Sequence, residues 1–301
     1  MMKLTPQSRR EMMKSSARLS LAGLSLGAGF LSSSSLWSKP RANSGQRFKI
    51  GACDWTLDKR TNPTALGVAK RLGLDGIMVD MGDPQNGFPL LKRELQKNYL
   101  TTSKELQVEI ASLALGTLNQ FPYKSDPRAQ HWVADSIEVS RAFGTHVVLI
   151  AFFGNGDLKN DKKGTEVVIQ RFKEIAPQAE KAGVVLGIES WLSAEEHMAI
   201  VDKVGSSAVQ VYYDMGNSHK MGYDIYQEIR FLGKHICEFH AKDYDDLYGK
   251  GTINFPEVRR AMDDIGYSGW MQIEGTKTPL GVEESIGYDA RYLRTIFPKN
   301  A

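Results

Sequence analysis

From Phe48 onward the chain alternates short apolar runs with longer stretches in which apolar residues recur every three or four positions. The short runs, residues 48–53, 76–80, 109–114, 146–152, 184–189, 209–214, 236–240 and 269–274, are apolar nearly throughout rather than at every second position. That pattern predicts parallel strands covered on both faces. The longer stretches, residues 63–72, 88–105, 126–143, 165–182, 194–204, 223–233, 255–265 and 283–297, carry the helical period. Several close on glycine, as in Leu72-Gly73, Phe143-Gly144, Ala182-Gly183 and Ile265-Gly266. Glycine just past a helix end takes the left-handed conformation at little cost. Eight strand–helix units in about 255 residues predict a (β/α)8 TIM barrel, whose usual size is about 250 residues. A doubly wound sheet would place a glycine-rich turn after its first strand, and Cys53-Asp54-Trp55-Thr56 is not one. With no linker or repeat after residue 46, residues 46–301 are expected to form one domain.

Composition changes this picture at the N-terminus. The chain of 301 residues has a formal charge of +3, from 38 Lys and Arg against 35 Asp and Glu. Seven of the basic residues and one acidic residue lie in positions 1–45, which leaves 31 basic against 34 acidic in the remainder. A slightly acidic body argues against a nucleic-acid partner held by phosphate neutralisation. Cys53 and Cys237, far apart and outside any CxxC spacing, give no disulfide or zinc framework. Ser8-Arg9-Arg10-Glu11-Met12-Met13-Lys14, then an apolar run broken by Gly and Ser, reads as a signal peptide with linker over 1–45. Its paired arginines resemble a twin-arginine signal, so the expected partner is the twin-arginine export machinery and the expected location periplasmic. The run falls short of the roughly 20 apolar residues of a membrane span.

In a parallel barrel the chemistry sits at the C-terminal ends of the strands. Strands five to eight end in Glu189, Asp214, His240 and Glu274. Any one of these carboxylates could cap a helix or pair with a lysine, and a lone histidine is commonly structural. Four in succession at equivalent positions, on strands about 4.8 Å apart, instead predict a single divalent-ion site. The hard, oxygen-rich set favours Mn²⁺, with Mg²⁺, Co²⁺ or Zn²⁺ as alternatives. His146 starts strand four, at the opposite end, and His131, His197 and His235 fall on helices or their ends. His219, in the loop after strand six, is a candidate substrate contact.

The stretches Tyr213-Asp214-Met215-Gly216-Asn217, Gly222-Tyr223-Asp224, His240-Ala241-Lys242-Asp243, Gly249-Lys250-Gly251 and Gly266-Tyr267-Ser268-Gly269-Trp270 through Glu274 resemble the xylose isomerase-like TIM barrel superfamily. Within it they are most similar to the sugar phosphate isomerase/epimerase group, which includes ketose 3-epimerases and inosose dehydratases. The resemblance runs from about residue 48 to the C-terminus and is specific over 185–275. It implies that Glu189, Asp214, His240 and Glu274 are the metal ligands. It also implies that Glu189 and Glu274 are the catalytic pair, one removing and one returning the proton of a keto-sugar whose enediolate the cation stabilises. Metal coordination and mutual repulsion would set their pKa values in opposite senses. Two positions depart from the ketose 3-epimerases. Asn217 stands where they usually carry a second histidine, and Lys242, Asp243, Asp246 and Lys250 follow the strand-seven histidine where they tend to carry an arginine. Asn217, His219, Lys242 and Asp243 are therefore candidate substrate contacts, and Trp55, Trp191 and Phe153 candidate walls for a sugar face.

Export favours an unphosphorylated substrate, because phosphorylated sugars are retained in the cytoplasm. Gly249-Lys250-Gly251 and Phe153-Gly154-Asn155-Gly156 read as plain turns rather than phosphate cradles. The expected function is a metal-dependent isomerase or epimerase of a keto-sugar, compatible with a homo-oligomer. A lyase, dehydratase or keto-glycoside-cleaving enzyme on the same site is the runner-up, followed by a non-catalytic carbohydrate-binding relative. An apurinic endonuclease of the same superfamily would need more histidines at strand ends and a basic groove.

Overall fold

The computed structural model describes residues 46–299; the expected export signal lies outside the described residues. Eight strands form a closed parallel barrel in sequence order. They are β1 Phe48–Cys53, β2 Gly76–Asp80, β3 Glu109–Leu115, β4 Val147–Phe152, β5 Val185–Ser190, β6 Val209–Asp214, β7 Ile236–Ala241 and β8 Gly269–Ile273. The outer ring consists of α1 Thr64–Arg71, α2 Arg93–Leu106, α3 Ala129–Phe143, α4 Lys162–Ala182, α5 Ala194–Val204, α6 Met215–Lys220, α7 Ile225–Leu232, α8 Phe255–Asp264 and α9 Val282–Ile296. The TIM barrel predicted from the alternation of patterns is the fold observed, and each expected strand lies within a residue of the one formed. Among the described residues no helix is long and apolar enough to cross a membrane.

The strands are apolar on both faces because both are covered. A large cluster fills the space between strands and helices. A smaller one, built from Cys53, Met78, Ala114, Leu149, Ala151 and Tyr212, fills the inside of the barrel and packs against Trp55 and Phe153. A polar layer also crosses the interior, where Glu238 accepts hydrogen bonds from Ser112 (2.8 Å), Tyr212 (3.1 Å) and Gln272 (2.7 Å). Three donors offset the burial of this carboxyl, which burial nonetheless pushes above its ordinary pKa.

Two local features set the position of the site. The register between β6 and β7 shifts at Val211/Tyr212, so that Asp214 comes to lie beside His240. The unexpected helix α6 begins immediately after β6, with the Asp214 carboxylate accepting the Asn217 N–H at 2.8 Å as its cap. Gly216 permits this turn. A Cβ there would lie 2.7 Å from the Lys242 Cβ and 2.8 Å from its carbonyl oxygen. Gly183, at φ 68°, closes α4 in the left-handed conformation its sequence position predicts.

Candidate active site

The C-terminal ends of the strands surround a cavity of about 310 Å³. Its lining includes Glu189, Glu274, Trp55, Trp191, Phe153, Asn217 and Lys242. Small apolar side chains, Ala114, Leu149 and Ala151, line it as well. Phe153 and Trp191 meet edge to face at 5.1 Å between centroids and form one aromatic wall.

Glu189, Asp214 and His240 are all buried, and one ligand atom from each lies within 4.8 Å of the others. His240 Nδ1 is 2.9 Å from Glu189 Oε1 and 3.8 Å from Asp214 Oδ2. The other ring nitrogen, Nε2, meets the Cys53 thiol at 3.3 Å, which fixes the ring so that Nδ1 faces the two carboxylates. This donor set of two carboxylates and one imidazole, converging in a buried place, fits a divalent cation. Glu274 stands apart from the trio. Its Oε1 accepts the Trp55 indole N–H at 3.1 Å, and its Oε2 is ion-paired with Lys242. The Lys242 ammonium also lies 3.2 Å from Asp214 Oδ2, so a positive charge already sits among the carboxylates.

The two glutamates differ electrostatically in opposite senses, but burial and Lys242 set the difference rather than the metal coordination and mutual repulsion expected. Burial pushes Glu189 up to about 7, against the pull of His240. Burial would also raise Glu274, but the Lys242 ammonium and the His240 ring hold its carboxyl below the ordinary carboxylate range. For Lys242 burial works toward a lower pKa, and the Asp214 and Glu274 carboxylates overcome it and raise it well above the ordinary value.

Of the other residues singled out, Trp55, Trp191, Asn217 and Lys242 line the cavity. Asn217 accepts a hydrogen bond from Tyr244, a cavity residue for which the sequence pattern gave no signal. His219 and Asp243 do not reach the cavity lining. His219 is exposed near the end of α6. Asp243 is fully buried because its carboxylate accepts the N–H groups of Asp245 (3.1 Å) and Ile253 (3.0 Å), folding the loop after β7. His197 is also structural: it bonds Ser190 (2.9 Å) and the Ser193 carbonyl (3.0 Å), and burial lowers it to about 4.

Sequence reasoning also missed Arg60, Asp80, Gly116 and Asn119, which line the cavity from the side of β1 to β3. Asp80 had a legible signal, since it too is a carboxylate at a strand end. Arg60 had none: it sits in the β1–α1 loop and meets Asp80 only in three dimensions, at 3.4 Å.

Residues 66–296 match the family described as xylose isomerase-like TIM barrel. A D-psicose 3-epimerase of Enterocloster bolteae is 29% identical over 151 residues, 47% of this chain. The matched stretch spans about half (49%) of that relative's length. A D-psicose 3-epimerase structure from Clostridium cellulolyticum H10 superposes with a TM-score of 0.71 at 16% identity, covering 83% of this chain and 99% of that one. A 3-keto-D-glucoside 4-epimerase structure from E. coli superposes at 0.68 with 14% identity, covering 82% and 99%. At these identities the two structures speak to the shape of the barrel alone.

Proposed function

The chain belongs to the xylose isomerase-like TIM barrel family, and on that premise we propose that it is a divalent-metal-dependent epimerase or isomerase of an unphosphorylated keto-sugar. The observation that carries this reading is the convergence of Glu189, Asp214 and His240 below a cavity that Glu189 and Glu274 also line. Glu189, Asp214 and His240 would hold the ion, with Glu274 as a fourth ligand once its pairing with Lys242 is exchanged. A bound dication supplies Lewis-acid polarisation of the substrate carbonyl, and Mn²⁺ is the ion the oxygen-rich set favours.

The remaining chemistry belongs to the chain. The carbon next to the ketone becomes acidic, and one glutamate takes its proton while the other delivers a proton to the opposite face. Glu274 is oriented for this by the Trp55 indole N–H, which its Oε1 accepts. Phe153 and Trp191 give one side of the cavity an apolar face against which a sugar ring can pack. A sequence relative whose name describes epimerisation of a ketose, the D-psicose 3-epimerase, supports this reading over elimination.

A screen of unphosphorylated ketoses and 3-keto-glycosides with the Mn²⁺-loaded protein tests it. The expected result is an epimer formed in a reaction that a chelator stops. Release of water or an aglycone would select the lyase reading instead. Glu274→Gln should lower kcat by about 10²–10⁴-fold, the usual contribution of a positioned acid–base group. Full activity in that variant removes the role. The same proposal includes export directed by residues 1–45, which would expose the enzyme to free sugars. A reporter carrying these residues should be secreted, and replacing Arg9 and Arg10 with Lys should abolish secretion.

A further inference from the structure

We propose that Arg60 and Asp80 form the recognition end of the cavity, binding hydroxyl groups remote from the reacting carbons and selecting a neutral sugar over its phosphate ester. The inference rests on the epimerase reading above and deepens it.

Asp80 closes β2 and its side chain is almost completely buried, yet it lines the cavity. Its Oδ1 accepts the Gly82 N–H at 2.7 Å. Its Oδ2 has Arg60 at 3.4 Å, longer than a charge-assisted hydrogen bond usually runs. That oxygen retains capacity for a hydroxyl donor. Gly116 keeps it open, because a Cβ there would stand 3.0 Å from Asp80 Oδ2. The Arg60 side chain is 57% exposed, and its guanidinium lies 5.7 Å from the centroid of the Trp55 ring. It presents donors toward the same cavity as the Asp80 acceptors. A carboxylate beside a guanidinium matches a diol, in which one hydroxyl donates to the acid and its neighbour accepts from the base.

The loop carrying Arg60 is held in place at a conformational cost. Asp54 Oδ2 accepts the N–H groups of Thr61 (2.8 Å) and Asp80 (3.1 Å), while Thr61 Oγ1 donates to the Asp80 carbonyl at 3.0 Å. Thr61 has φ 51° and Asp58 φ 56°. For a β-branched residue the left-handed region is a genuine outlier, and such strain concentrates where geometry serves a site. Here it fixes Arg60 against Asp80.

Charge decides the substrate class. The two cationic side chains lining the cavity already face carboxylates: Arg60 faces Asp80, and Lys242 faces Asp214 and Glu274. At the Arg60 end a phosphate would have to displace the Asp80 carboxylate, whereas a neutral hydroxyl joins the Arg60–Asp80 pair without displacing either member.

The test uses the Mn²⁺-loaded full chain, the best neutral ketose from the screen and the terminal phosphate ester of that ketose. KM and kcat are measured alongside Kd by calorimetry. The wild type should bind the neutral sugar at least about tenfold more tightly than the ester. Asp80→Asn should raise KM for the neutral sugar about tenfold with kcat nearly unchanged. It should also narrow or invert the preference, because it leaves the Arg60 guanidinium free for phosphate. Arg60→Met, at a largely exposed side chain, should weaken neutral-sugar binding without improving the ester. Wild-type preference for the ester, or both variants with unchanged KM and unchanged preference, overturns the inference while the epimerase reading stands. A wild type that binds and converts no sugar of either kind overturns both.

Discussion

Lys242 is the residue whose environment says most about the site. Its ammonium is buried between two acidic side chains, Asp214 and Glu274. Removing one partner of a buried ion pair typically costs about 3–5 kcal/mol, because the other charge is left uncompensated. Lys242→Met should therefore melt well below the wild type when metal-free, and a divalent ion should restore more stability to the variant than to the wild type. Thermal melts with and without Mn²⁺ check this, and equal metal-induced shifts would contradict it. Asp80 makes a second claim at this scale. Burial raises its carboxyl from an ordinary 3.8 to about 6, so the folded protein keeps a proton that the unfolded chain has already released. Between roughly pH 4 and 6 the native state binds more protons, and its stability falls as pH rises through that window, by about 3 kcal/mol in all. Asp80→Asn has no such proton and should show a flatter dependence. Urea midpoints at pH 4.5 and pH 7 measure the difference, and identical slopes for both proteins would refute it.

At the scale of elements, what was legible was whatever repeats. Eight apolar runs and eight helical periods sufficed to predict the barrel, and strand number then led from Glu189 to Glu274. The missing parts have no period. Helix α6 is six residues of Met-Gly-Asn-Ser-His-Lys, organised by the Asp214 cap rather than by an apolar face. The register shift between β6 and β7 depends on pairing, which side-chain alternation does not encode when strands are buried on both faces. Asp54 and Asp80 are different: they stand at the ends of strands one and two, outside the unbroken run of Glu189, Asp214, His240 and Glu274 on strands five to eight. His219 and Asp243 follow Asp214 and His240 closely in the chain, but a short helix and an inward-turned loop carry them away from the cavity. Gly216 shows how tightly α6 is seated. Gly216→Ala sets a methyl 2.7 Å from the Lys242 stem and should cost about 1–3 kcal/mol through overpacking. It should also weaken divalent-ion binding by shifting Asp214 and Lys242 together. Calorimetry of Mn²⁺ binding checks this, and wild-type stability and affinity in the variant would contradict it.

For the whole molecule, the barrel delivers four side chains from four strands to one end, while the strands and helices beneath are closely packed and apolar. That packed layer forms the floor of the cavity, and the loops after β1 to β3 shape its far wall. The slightly acidic body, the aromatic wall and the paired cations fit a small neutral substrate rather than a polyanion. The central claim is that this site moves a proton on the carbon beside a sugar ketone. The most direct measurement is incubation of the Mn²⁺-loaded protein with an unphosphorylated keto-sugar in D₂O, followed by chelation and NMR of the recovered sugar. The account predicts solvent deuterium at the inverted carbon of the epimer, lost on metal removal. An unlabelled epimer, or cleavage with no epimer formed, would contradict it.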